Sequence, residues 1–174
     1  MTTSRLTALK ESDLDAEQQK VLNEIRSHGG RLGGPYEAYI RDPDFMRINQ
    51  MMGDRIRGSV LPTAVRHIAV LTTIRFWGAE FAWKNNSEAA ARDGIAPQII
   101  SAIDRLEEDP SMSPSQRAAQ RMALSLLRCR SVPDDLYEST SQVMNESELV
   151  SLVYTVGFFS MVSMTLLSFR IEPG

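Results

Sequence analysis

Cysteine occurs once in this chain of 174 residues, at Cys129. A lone thiol cannot close an internal disulfide, fill a multi-thiolate metal site or form a dithiol redox pair. Histidine is nearly as scarce. His28 and His67 stand far apart in the chain, and no carboxylates cluster around either at ligand spacing, so neither a metal nor a cofactor is expected. Positive charge has no focus either. The net charge is -3, and Lys and Arg are scattered instead of forming a basic block, so nucleic acid is not an expected partner. The N-terminal residues lack the apolar stretch of a secretory signal, which makes the cytoplasm the expected address.

Strict two-residue alternation of apolar and polar side chains is also missing almost everywhere, whereas helix punctuation is frequent. An all-α fold follows, as a single domain over residues 1–174. Val21, Leu22 and Ile25 share one face of a helix expected from about Asp13 to Arg26, which stops in the glycine-rich loop His28–Pro35. That loop has no preceding strand and no Gly-Lys-Ser/Thr ending, so it is not a phosphate cradle. Asp42 followed by Pro43 reads as an N-cap with proline at N1, opening a helix whose Phe45, Ile48, Met52 and Ile56 share a face. Pro62, Pro97, Ser113-Pro114 and Pro133 mark further helix starts. Gly58, Gly78 and Gly94 mark ends or bends.

Leu149 to Phe169 carries no formal charge and is long enough to cross a bilayer. Its Ser, Thr, Tyr and Gly residues suit a protein interior better than lipid. A helix buried in the core and at subunit contacts is therefore expected, in a homo-oligomer and not in a membrane.

Three stretches, in order and without gaps, carry a resemblance: Arg66-His67-Ile68-Ala69-Val70-Leu71, then Gly78-Ala79-Glu80-Phe81-Ala82-Trp83-Lys84-Asn85-Asn86, then Gly94-Ile95. Together they resemble the central signature of the carboxymuconolactone decarboxylase/AhpD-like family. Gly34-Pro35-Tyr36, Asp42-Pro43-Asp44-Phe45 and the apolar C-terminal segment extend the likeness over most of the chain. The resemblance implies the all-α AhpD-like fold and a trimer or a multiple of it. In the redox branch of that family a Glu, two cysteines in Cys-x-x-Cys spacing and a His form the peroxidatic site, and those places fall on His67, Ala79, Ala82 and Asn86. Peroxidase chemistry is therefore not expected, because alanine offers no thiolate. In the decarboxylase branch the Glu before the Trp and the His after it are here Ala82 and Asn86.

Ala79, Ala82 and Asn86 recur at three- and four-residue steps and so share a helix face, with Trp83 beside them. If Gly78 folds this segment back on the preceding helix, His67 approaches Asn86. Imidazole ordinarily titrates between pH 5 and 8, and a neutral amide can orient it or hold an enolate oxygen. The expected activity is that of a cofactor-free lyase or isomerase acting by proton transfer on a small oxygenated, mostly apolar substrate such as a lactone or keto acid. His67 and Asn86 would be the catalytic residues, and Trp83, Tyr36, Phe45 and Ala82 would shape the substrate pocket. The alternative is a non-catalytic small-molecule-binding or assembly protein of the same fold.

Overall fold

The computed structural model describes residues 4–28 and 33–172, and among these the chain is helical throughout, with no strand. The middle of the expected glycine loop, residues 29–32, lies outside the described residues. Most helices begin and end where the sequence punctuates them. Helix α1 (Ala16–Ser27) starts at Asp15, whose carboxylate accepts from the Gln18 amide while the Gln18 side chain reaches back to the Asp15 backbone. A short α2 (Tyr36–Tyr39) is followed by α3 (Pro43–Arg57), capped by Asp42 with proline at N1 and ended at Gly58.

Helix α4 (Thr63–Trp77) and helix α5 (Glu80–Arg92) form an antiparallel hairpin. Its hinge is Gly78, in the left-handed region at φ 69°, which a side chain would strain. Gly94, at φ 88°, plays the same part after α5, and α6 (Pro97–Asp104) follows. Helix α7 (Pro114–Cys129) is opened by a Ser113–Gln116 capping box, α8 (Asp134–Ser141) follows Pro133, and α9 (Glu146–Phe169) closes the chain behind an Asn145–Glu148 box.

Helix α4 is the axis of the core. It packs against α5, α6, α7 and α9, and nearly every residue from Val65 to Ile74 is buried. A helix covered on all sides carries no amphipathic stripe, because no face is left for water. Ile68, Leu71 and Ile74 are fully buried, so truncating any of them to alanine should cost about 2–5 kcal/mol. Helix α9 is long and apolar enough to cross a membrane, yet Leu149, Leu152, Val156, Val162 and Leu166 face the core. Its opposite side leaves Val150, Val153, Tyr154, Met164 and Leu167 exposed.

Helix α3 departs from the expected pattern. Ile56 is buried, but Phe45 and Ile48 are exposed, at 41% and 54%. The face turned inward carries Met46, Asn49, Gln50 and Gly53 instead. The sequence signal was the apolar spacing, and here the chain spends apolar residues on its surface and polar ones inside. That inversion builds the site.

Candidate small-molecule pocket

A cavity of about 180 Å³ lies where α3, α5 and α9 meet the start of α2. Helix α3 contributes Asn49, Gly53 and Arg57; α5 contributes Phe81, Ala82, Asn85 and Asn86; α9 contributes Phe158, Phe159, Val162 and Leu166. Pro35 and Tyr36 close the remaining side. Three small or absent side chains keep this space open. Gly53 leaves its part of the wall bare, Ala82 replaces any longer side chain on α5, and Gly34 lets the loop come close. At Gly34 φ is +57°, and a Cβ there would collide with the Phe81 ring, so glycine is required twice over.

Polar groups on one side are tied into a chain. The Tyr36 hydroxyl donates to Gln50 Oε1, the Gln50 amide donates at 3.1 Å to both oxygens of Asp54, and Asp54 pairs with Arg57. Burial pushes the Tyr36 hydroxyl above the ordinary phenol range, only partly opposed by the Arg57 charge. It therefore stays protonated at neutral pH and serves as a hydrogen-bonding group. Burial also raises the Asp54 carboxyl, but Gln50 and Arg57 bring it below its ordinary value. Asn85 and Asn86 each return one N–H to the carbonyl four residues earlier, on Phe81 and Ala82, at 2.8 Å. Asn49 differs from all of these. It is 4% exposed and its Oδ1 has no hydrogen-bond partner.

Of the six side chains expected to form the site, the structure gathers Tyr36, Ala82 and Asn86 in this cavity and places the other three elsewhere. His67 does not meet Asn86. Its Nε2 lies 2.7 Å from Asp93 Oδ2 at the C-terminus of α5, and a carboxylate can only accept, so Nε2 carries the hydrogen. The reason is register: His67 is farther from the Gly78 turn than Asn86 is, and antiparallel pairing carries it past Asn86 to the end of α5. The hydrogen bond from His67 holds the Asp93 carboxyl below its ordinary range. Trp83 packs between the two parts of the core, with the Arg75 guanidinium 5.3 Å from its ring centroid. Phe45 stands against Tyr39, ring centroids 5.6 Å apart, one turn before Asn49 on α3 and not among the residues that line the cavity. Asn49, Gly53, Arg57 and the two α9 phenylalanines escaped the sequence reading. Polar residues at 49 and 50, between Met46 and Gly53 at helical steps, were the available signal for the first of them.

Among the described residues that line the cavity, none ordinarily titrates near neutrality and none is a thiol. Ala79 and Ala82 are both buried, and Cys129 is exposed at the end of α7. Among the described residues no group of three His, Cys, Asp or Glu side chains is placed to hold a metal ion. The arrangement can bind and orient a small molecule.

No protein-family model matches the sequence, and no curated protein matches it significantly. Solved structures do match. An uncharacterized peroxidase-related protein from Ralstonia eutropha, described as an alkylhydroperoxidase AhpD core, superposes with a TM-score of 0.81 at 15% identity, over 100% of this chain and 94% of that one. The debrominase Bmp8 superposes with a TM-score of 0.80 at 13% identity, over 99% and 93% of the two chains. A cysteine-to-alanine variant of that debrominase, solved with 2,3,4-tribromopyrrole, gives 0.71 at 14% identity, over 98% and 93%. At these identities the likeness is one of fold, and the fold of this chain is the all-α AhpD-like fold.

Proposed function

We propose that this protein binds one small, mostly apolar molecule carrying a polar group in the cavity between α3, α5 and α9, without thiol chemistry. One observation carries this reading: aromatic and aliphatic walls close on a few convergent polar groups, while the lining residues include no ordinary general acid or base. The place matched to the redox family's second cysteine is Ala82, on the cavity wall, so the fold's usual reactive position is replaced by open space. A debrominase variant of this fold was solved with a comparably small molecule, 2,3,4-tribromopyrrole. A fragment screen by thermal shift tests the reading. Saturable stabilisation by single-ring fragments is expected in the wild type, and its absence across the whole screen would sink the proposal.

A second reading, a cofactor-free lyase or isomerase working by proton transfer on a lactone or keto acid, is favoured by the His67–Asp93 pair. An imidazole oriented by a carboxylate at 2.7 Å is the usual arrangement of an acid/base catalyst. It requires the substrate to reach His67, outside the cavity. Once a substrate is in hand, His67→Gln should lower kcat by roughly 10²–10⁴-fold under this reading. Unchanged turnover would leave the cavity to act by binding alone.

The chain is further proposed to assemble with copies of itself. Ile48 and Met51 of α3 lie exposed, as do Val150, Val153 and Tyr154 of α9, and an open groove runs beside them between Met51 and Tyr154. Contiguous apolar surface of this kind suits a subunit contact. Sedimentation of a well-behaved monomer at micromolar concentration would count against it.

A further inference from the structure

We infer that Arg57 reads the ligand, and that the ligand is a small monoanion whose ring lies against the phenylalanines while its carboxylate sits on the Arg57 guanidinium at the mouth of the cavity. The inference rests on the small-molecule reading of the cavity and names the charge class that it takes.

Arg57 is the one charged side chain among the described residues that line the cavity. Its counterion stands off the wall. Asp54 does not line the space, and its oxygens are already engaged, Oδ1 by Arg57 Nη2 and both by the Gln50 amide. A guanidinium carries five N–H groups, and among the described residues that ion pair engages Nη2 alone, so Nη1 and Nε are left to donate elsewhere. Position points them at the cavity. A Cβ built on Gly53 would stand 3.6 Å from Arg57 Nη1 and 3.6 Å from Phe158 Cζ, so the missing side chain leaves a gap between a cation and an aromatic ring. The α5 wall adds Asn85 and Asn86, each keeping a second amide N–H beyond its bond to the carbonyl four residues earlier. Exposure settles how a charge is tolerated there. The Arg57 side chain is 61% exposed, so a carboxylate on it keeps part of its hydration and escapes the desolvation penalty of a buried ion pair. The ring then turns inward, onto Phe158, Phe159, Val162 and Leu166. A carboxylate also matches the planar fork of the guanidinium, which a neutral amide does not.

Calorimetry with benzoate, benzamide and toluene on the full chain at low salt tests the inference. Benzoate and benzamide share a shape and differ in charge. Wild-type protein is expected to bind benzoate roughly fivefold more tightly than benzamide, the worth of an exposed ion pair with good geometry. Raising the salt to about 0.5 M should shrink that preference and leave toluene binding where it was. Arg57→Met, which keeps an unbranched side chain and removes its charge, is expected to erase the preference while keeping toluene binding within about threefold. Arg57→Lys should retain part of it, as a point charge without the fork. Equal binding of benzoate and benzamide to the wild type would overturn the inference whatever the variants do, and so would a benzoate preference that survives Arg57→Met. Binding of toluene and benzamide without benzoate would leave the cavity reading standing and sink this inference alone. If none of the three binds, the cavity reading itself fails and this inference falls with it.

Discussion

The two ends of helix α5 make opposite provisions. Near its N-terminus, Phe81, Ala82, Asn85 and Asn86 face a cavity whose lining has no group that ordinarily titrates near neutrality. Just past its C-terminus, Asp93 holds His67 in a carboxylate–imidazole pair outside that cavity. One end has room without acid/base chemistry, and the other has acid/base groups without that room. Family motifs are ordered along the sequence, but a site is ordered in space, and an antiparallel hairpin separates residues that a motif lists together. The difference between the ends is what makes binding the stronger functional reading here.

The sharpest way to break this comparison is to block one end and disarm the other. Ala82→Trp drives an indole into the cavity and is expected to weaken single-ring ligands by more than about tenfold, at an overpacking cost of roughly 1–3 kcal/mol. His67→Gln should leave the same affinity within about twofold, since His67 is not on the cavity wall. Calorimetry on both variants decides it. Equal losses in the two would mean that the ends are coupled and that the separation drawn here is wrong.

A smaller effect is expected at Gly34, which supports the cavity end alone. Its left-handed φ of +57° costs a side-chain-bearing residue about 1–2 kcal/mol, before any displacement of Phe81 is counted. Gly34→Ala should therefore lower the denaturation midpoint and loosen ligand binding by way of Phe81 and Tyr36. A variant as stable as the wild type would show that the loop relaxes freely. Then the close approach to Phe81 would not be what holds the cavity open.

Much of this architecture is legible in the sequence because helix punctuation is local chemistry. Asp42-Pro43, Ser113-Pro114, Gly78 and Gly94 each act through their own φ and one or two hydrogen bonds, so they can be read without knowing what packs where. The cavity is less legible. Asn49 and Gln50 are polar, and a search for buried faces follows apolar spacing, so it selects Phe45 and Ile48, which the fold leaves exposed. Tyr36, Ala82 and Asn86 came from the family resemblance. Their company, Asn49, Arg57 and Phe158, comes from helices brought together only by tertiary packing. The His67–Asp93 pair depends on the register of two helices across a turn, which no linear spacing encodes.

Both ends should respond to acid, the cavity end through Asp54 and the pair end through Asp93. Because the His67 hydrogen bond lowers the Asp93 carboxyl, the folded state favours its ionised form. That contribution is present above the ordinary carboxylate value of about 3.9 and is lost as pH falls through the lowered folded value. Asp93 is well exposed, so the effect is modest. Thermal melts of wild type and Asp93→Asn should differ at pH 6 and converge below about pH 4, with the wild type the more stable where they differ. A gap that stays constant down to pH 3 would mean the pair does not contribute through ionisation.

The smallest expected effect belongs to Cys129, which lies at neither end. It is exposed at the C-terminus of α7, and among the described residues it is the one cysteine. Dithiol peroxide reduction needs a nucleophilic thiolate and a resolving thiol within reach, and in the AhpD-like arrangement those belong where Ala79 and Ala82 are buried. Cys129→Ser should therefore leave folding, assembly and ligand affinity unchanged, and wild-type protein should consume no peroxide at the expense of a dithiol. If peroxide-dependent turnover appears and vanishes in Cys129→Ser, the reactive position has moved to α7. The comparison between the ends of α5 would then describe a binding site beside a redox centre outside both.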